Sequence, residues 1–190
     1  SVYSQLENHI WHYGNTAKGL EFDLLTNAPA VTNVSYTPYS TGTGSSIVNP
    51  TTGTLIYYSD GKNVIDINHD VMPNGSGLIG APATFSSGVS CKVPGNCNLW
   101  YVFSITTQTE FWPAPVIGNL YYSIVDMSLP GNGSVPVPLG DVVVGQKNIL
   151  VATNVSEGIE IIPKSGSHDY YLLVGKNSTS SIDIYEVTSS

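Results

Sequence analysis

Charged residues are scarce in this sequence, and basic residues are the scarcest of them. The 190-residue chain has six lysines and arginines against fourteen aspartates and glutamates. Without a cluster of basic residues, it lacks the electrostatic footprint that binds phosphate backbones or anionic membrane surfaces. It also lacks any run of about 18 apolar residues, the length that a membrane span needs. We therefore expect no nucleic-acid partner and no membrane insertion.

Helical periodicity is also absent, and strand patterns take its place. No window carries apolar residues at i, i+3, i+4 and i+7 over three turns with capping residues. The apolar run 54–58 precedes Ser59-Asp60-Gly61, and a second apolar run, 63–67, follows this turn. An Asp-Gly pair between two such runs is typical of a β-hairpin. Twelve tyrosines and many β-branched residues argue against disorder, so the pattern predicts an all-β protein.

A similar unit occurs three times, at Pro50, Pro94 and Pro163. In each copy a strand ends at the proline, a short polar turn follows, and the next strand is rich in aromatic residues. A proline at a strand end removes no ladder hydrogen bond. We predict antiparallel repeats like propeller blades, but a closed propeller needs at least about four blades. The prediction is therefore an incomplete or fragmentary propeller, with a β-sandwich as the alternative.

These units define the predicted domain organisation. We predict a single all-β domain over residues 1–190. Its units cover approximately 45–67, 88–127 and 157–188, and an N-terminal strand and loop segment covers 1–44.

The two cysteines, Cys91 and Cys97, flank the turn Pro94-Gly95-Asn96. A zinc or redox motif would require Cys-x-x-Cys with further Cys or His ligands, and neither is present. Proline, glycine and asparagine favour a tight turn, which would bring the two ends of this segment together. We therefore predict a structural disulfide between Cys91 and Cys97, and with it an oxidising compartment.

No motif marks a catalytic centre. The sequence has no Gly-x-Ser-x-Gly elbow and no His-Glu-x-x-His pair. His69, in Asn68-His69-Asp70, lacks neighbours at ligand spacing, and we interpret this segment as a loop whose side chains hold backbone groups. We therefore predict a non-enzyme without metal or cofactor. A hydrolase fragment using two of the fourteen carboxylates is a less favoured alternative.

Two kinds of surface chemistry are candidates for binding or modification. Phe111 and Trp112 lie in a proline-rich, loop-like stretch, and exposed aromatic rings there could stack on sugars. Aromatic residues in strands more often form cross-strand and core pairs. Five Asn-x-Ser/Thr sequons are candidate glycosylation sites, at Asn33, Asn74, Asn132, Asn154 and Asn177. About three sequons would be expected by chance in a chain of this composition.

Several segments, in order and at approximate spacing, are similar to one family. The segments are 11–15, 19–22, 53–61, Asn68–Gly80, 93–96, 121–127, 140–142 and 169–171. They resemble the N-terminal propeller-like region of large Bacteroidetes cell-surface proteins with PKD or Ig-like repeats and a type IX secretion (gliding motility-type) sorting domain. The resemblance implies an exported surface protein that serves as an adhesin or structural element. It transfers no catalytic residue.

Together these observations predict a non-enzymatic, secreted cell-surface protein with a structural or adhesive function. Its partners would be other protein domains or copies of itself, bound through packing of the β-repeats. A carbohydrate-binding module that recognises surface glycans through exposed aromatic residues is the alternative.

Overall fold

The structure is a computed structural model. The residues that it describes are 10–12, 16–23, 25–26, 28–37, 44–81, 88–106, 118–177 and 179–189. Within these ranges every strand pairing is antiparallel, and the helical structure amounts to one 3-10 turn, Val144–Gln146. The predicted all-β, antiparallel class is confirmed.

The first sheet has the order β1-β2-β3, with strands Ile10–His12, Lys18–Phe22 and Pro29–Asn33. His12 lies opposite Gly19, and Gly19 lies opposite Thr32. A Cβ atom on Gly19 would lie 2.9 Å from the Thr32 hydroxyl oxygen and 3.2 Å from Cδ2 of His12. Glycine is therefore needed at this position to admit the imidazole ring.

The second sheet has the order β4-β5-β6-β7, with strands Ser45–Val48, Leu55–Ser59, Asn63–Asp66 and Val71–Ser76. The predicted Asp-Gly hairpin joins β5 to β6. Asp60 Oδ1 accepts hydrogen bonds from the backbone N–H groups of Lys62 at 2.9 Å and Asn63 at 2.7 Å. Gly61 supplies the positive φ of +83° that this turn requires.

The third sheet contains the remaining strands, in the order β14-β13-β12-β10-β9-β8, with β11 paired to β10. In chain order, β8 to β14 are Gly88–Lys92, Leu99–Ile105, Gly118–Asp126, Asp141–Val142, Ile149–Pro163, Tyr170–Lys176 and Ile182–Val187. Since β10 pairs with β12, the second and third predicted units share one continuous sheet. Separate blades would each form their own sheet, so this topology gives the propeller arrangement no support.

The β8–β10 part of the third sheet is covered on both faces. On one face, Phe103 and Leu120 pack in a cluster with Leu172 of β13. On the other face, Val102 and Val125 pack in a second cluster. The second sheet contributes buried residues to that cluster, among them Tyr57, Val64 and Met72. The fold is therefore sandwich-like, with β8–β10 as its middle layer.

The predicted disulfide between Cys91 and Cys97 is wrong, because both cysteines are free. The Cys91 side chain packs into the apolar cluster that contains Phe103, and burial raises the pKa of its thiol to about 12. Cys97 is exposed in the turn, where Asn96 Oδ1 accepts hydrogen bonds from the N–H groups of Asn98 at 2.8 Å and Leu99 at 3.0 Å. This side-chain cap closes the turn without a covalent link, so the oxidising compartment loses its main support.

Candidate functional site

The predicted ligand-contact aromatics and glycosylation sites differ in their positions and exposure. Phe111 and Trp112 lie outside the described residues. Asn33 is exposed at the end of β3, where the Lys18 ammonium group donates a hydrogen bond to its side-chain oxygen. Asn154 is also exposed, at a β12 position with a positive φ of 59°, and Asn177 is half-buried. Asn33 and Asn154 therefore remain accessible candidates for glycosylation.

The backbone and side chain of Asn74 donate hydrogen bonds to a buried carboxylate. Its backbone N–H donates to Asp141 Oδ1 at 2.8 Å, and its Nδ2 donates to Asp141 Oδ2 at 2.7 Å. Asp141 is 7% exposed and also accepts the N–H of Val142 at 2.8 Å. Since a glycan would attach to Nδ2, glycosylation of Asn74 would disturb this pairing.

Asn132 holds a second buried carboxylate. Its Nδ2 donates to Asp66 Oδ2 at 2.9 Å and to the backbone oxygen of Val71 at 3.0 Å. Asp66 is fully buried, and its Oδ1 accepts the N–H groups of Asn68 at 2.8 Å and Asp70 at 3.2 Å. Both amide hydrogens of Asn132 are therefore used, and its sequon has a structural role.

These two pairs belong to a longer set of contacts made by segment 128–148, which we call the strap. It contacts strands β6 and β7 and the residues that follow β7. Lys147 at the end of the strap donates to the backbone oxygens of Asn74, at 3.0 Å, and Ser76. Asn148 accepts the N–H of Ile79 at 2.9 Å and donates to the backbone oxygen of Gly77 at 3.0 Å. The strap thus covers the outer edge of the second sheet.

A cluster of histidine and tyrosine rings lies where the first sheet meets the second. The His12 ring stacks on Tyr58 with ring centroids 4.1 Å apart, and the His69 ring lies edge-on to His12 at 5.7 Å. The Tyr58 hydroxyl hydrogen-bonds to Nδ1 of His69 at 3.3 Å, and Nδ1 of His12 to the Ser46 hydroxyl at 3.1 Å. Sequence reasoning identified His69 alone, because no local motif signals the approach of His12.

Burial determines the ionisation of this cluster. Desolvation, with a smaller contribution from His69, lowers the pKa of His12 to about 4. Desolvation also raises the pKa of Tyr58, as do its neighbours Tyr36 and Asp60. Tyr36 donates its hydroxyl to Asp60 Oδ2 at 2.7 Å, so its pKa is raised by burial and by this carboxylate. All three side chains are therefore neutral near pH 7.

The pairing of His12 with Ser46 invites comparison with a nucleophile and its base, but its geometry differs. The Ser46 hydroxyl also accepts the backbone N–H of His12 at 3.1 Å, and residue His12 as a whole is 6% exposed. No carboxylate in the described ranges forms a hydrogen bond with the His12 ring, so the third member of a catalytic triad is missing there. We interpret the cluster as a buried contact that attaches the first sheet.

The described part of the chain contains no group of three or more His, Cys, Asp or Glu side chains arranged to hold a metal ion. It also contains no helix with the length and hydropathy needed to cross a membrane.

In the part of the chain that the structure describes, strand β14 is the last strand of the third sheet and pairs on one side only. Among the described residues, its neighbour is β13, and no strand lies along its other edge. Lys176 N donates to Ser181 O at 3.0 Å, which makes these two residues a hydrogen-bonded pair. Because such pairs alternate along an antiparallel ladder, the N–H groups of Ile182, Ile184 and Glu186 point to the free edge.

The outer face of β14 carries two exposed isoleucines and Glu186. Ile182 is 62% exposed and Ile184 is 64% exposed. Ile184 pairs with Leu173 of β13, whose partner in β12 is Glu160. Ile162, two residues further along β12, is 44% exposed and pairs with Tyr171. The acidic residues of β14 are both in ion pairs: Asp183 with Lys176 at 3.0 Å, and Glu186 with Lys164 at 3.2 Å.

A second exposed apolar face lies on the first sheet, and the sequence prediction missed it. Trp11 is 50% exposed, and its ring meets Phe22 edge-on with centroids 5.8 Å apart. The strand register places Leu20 and the exposed Val31 on the same face as Trp11. Strand alternation around Trp11 was the available signal, but this segment had been assigned only as a strand and loop.

Comparison with known proteins finds no matching family model, no matching curated protein and no matching solved structure.

Proposed function

We propose that this chain is a non-enzymatic, secreted cell-surface protein with a structural or adhesive function, and that it acts by pairing its open sheet edge with neighbouring protein chains. The observation that carries the proposal is the free edge of β14. It offers a row of backbone N–H and C=O groups beside the exposed side chains of Ile182 and Ile184. Such an edge is a template for an added strand.

The contrast with the second sheet supports this function. There the strap covers the edge strand β7 with side-chain hydrogen bonds from Asn132 and Lys147, and Asn148 bonds to Gly77 just beyond the strand. At β14 the two acidic side chains form ion pairs with Lys176 of β13 and with Lys164, which directly follows β12. Unpaired charges on an edge strand would discourage strand addition, and here they are compensated.

The extracellular location belongs to the same proposal. A chain with 11% charged residues presents hydroxyl and amide groups on its surface in their place, which suits an exported β-protein. The resemblance of segments such as Asn68–Gly80 to Bacteroidetes surface proteins supports the same location. Without a disulfide, these two observations are its support.

The test compares retention of the wild-type chain and Ile184→Pro on intact cells that produce the protein. Proline at 184 removes an N–H that points to the free edge, so the ladder with β13 keeps its bonds. We expect the wild type on the cell surface, detected by antibody labelling, and the variant mainly in the medium. Far-UV circular dichroism must show the variant folded. Equal retention of both proteins, or absence of the wild type from the surface, would contradict the proposal.

A carbohydrate-binding function is a second candidate, and the exposed Trp11 ring favours it. An aromatic ring with an open face can stack on a sugar, and Lys18 and Asn33 lie on the same face as polar neighbours. A glycan array is the test, with Trp11→Ala expected to lower any binding at least about tenfold. Val31→Ala, on the same face, is the matched control and should bind like the wild type. A blank array would count against this candidate.

A further inference from the structure

We propose that the occupant of the β14 edge is β14 of a second copy of this chain, paired antiparallel about a two-fold axis at Ile184. This inference rests on the proposed function and names the partner of the same edge. The two third sheets would then form one continuous sheet across the dimer. A two-fold interface uses the same surface patch from both copies, so β14 must be complementary to itself.

The backbone of β14 meets this requirement. The N–H of Ile184 points to the free edge, so the two Ile184 residues can face each other as a hydrogen-bonded pair. The same register places Ile182 opposite Glu186 of the second copy, and both of these residues also direct their N–H groups to the edge. The pairing therefore forms about six main-chain hydrogen bonds and leaves the ladder with β13 unchanged.

The charges of β14 favour this register over its neighbour. With the axis at Ile184, Asp183 lies opposite Tyr185 of the second copy, and no like charges are directly opposed. An axis at Asp183 would place two aspartates opposite each other. The ion pairs of Asp183 with Lys176 and of Glu186 with Lys164 form within each copy and do not cross the interface. Charge therefore favours the axis at Ile184 over the one at Asp183.

The exposed apolar side chains gain cover in the same arrangement. An axis perpendicular to the sheet keeps Ile184 of both copies on the outer face, where directly opposite Cβ atoms are about 5 Å apart. The strip of Ile182, Ile184 and Leu173 in one copy then continues into that of the other. The net charge of −8 on each copy opposes association at long range. Salt screens this repulsion, so we expect dimerisation to strengthen between about 20 and 300 mM NaCl.

Disulfide trapping tests the axis directly. Cys97 is exposed and is first replaced by Ser, whereas Cys91 is buried and stays in place. In that background, Ile184→Cys places the two introduced cysteines opposite each other. Their Cα atoms would be about 5.5 Å apart, which is within the range for a disulfide. Ile182→Cys is the matched control, because the two residues 182 are about 13 Å apart in this register. We expect mild oxidation to produce a covalent dimer from the first variant and none from the second.

Light scattering on the unmodified protein supplies the second measurement. We expect a dimer fraction that rises with concentration and is lost in Ile184→Pro and in Ile184→Lys, which adds a charge to the edge without proline's backbone constraint. Hydrogen exchange should show protection of the amides of 182, 184 and 186 in the dimer. A wild type that is monomeric at all concentrations, or equal trapping at 182 and 184, would overturn the inference.

The outcome also separates this inference from the proposed function. If the purified protein is monomeric while Ile184→Pro is still released from cells, the edge pairs with a different chain and only the inference fails. If the protein is monomeric and cell retention is unaffected, both fail.

Discussion

The buried imidazole of His12 should make the stability of this protein fall in mildly acidic solution. His12 has a pKa of about 4 in the folded chain, against an ordinary value of 6.5. Between these values the unfolded chain binds the proton more readily, so stability is complete above pH 6.5 and is lost as the pH falls towards 4. The full shift corresponds to about 3 kcal/mol of unfolding free energy, of which about 2 kcal/mol is lost by pH 5.

Urea denaturation at pH 7.5, 5 and 4, comparing the wild type with His12→Phe, measures this loss. Phenylalanine keeps a ring on Tyr58 but does not titrate, and it lacks the hydrogen bond to Ser46. The variant is expected to be less stable at pH 7.5 and to lose less stability on acidification. Subtracting the two curves removes the carboxylates common to both proteins. Parallel curves from pH 7.5 to 4 would refute the assignment of this pH dependence to His12.

Three further predictions concern the other contacts. Asp141→Ala should lower the unfolding free energy by about 2 to 3 kcal/mol, and adding Asn74→Ala should cost little more, as a double-mutant cycle by urea denaturation will show. Cys97→Ser should leave the melting temperature unchanged, and so should a reducing agent, whereas Cys91→Ser should destabilise by about 1 to 3 kcal/mol because it buries a hydroxyl. Glycopeptide mass spectrometry on the natural protein should find Asn132 unmodified. An altered melting temperature in Cys97→Ser would contradict the absence of a disulfide. A glycan on Asn132 would contradict its hydrogen bonds to Asp66 and Val71.

The features that sequence reasoning predicted are local in the chain. The β5–β6 hairpin follows from Asp60-Gly61, whose side-chain cap and positive φ lie within a few residues. The Cys91 to Cys97 turn was also located correctly, but its chemistry was not. Proline, glycine and asparagine indicate where a chain turns, whereas the direction of each cysteine side chain depends on the strand register.

The features that were missed all depend on contacts distant in sequence. The pairing of β10 with β12 joins two units that look like separate repeats in the sequence. The strap separates these two strands along the chain. His12 and His69 approach only because two sheets pack together. Asn74 and Asn132 carry a modification signature in sequence, and their partners Asp141 and Asp66 lie far along the chain. Composition and periodicity carry no information on such pairings.

The middle layer β8–β10 has a consequence for cooperativity. One of its faces is covered by the second sheet and the other by β12–β14, so removing either cover exposes apolar side chains such as Val125 or Leu120. We therefore expect neither half of the chain to fold as an independent module. Trp100, which packs beside Tyr57, and the amides of β13 should therefore report a single, simultaneous unfolding transition.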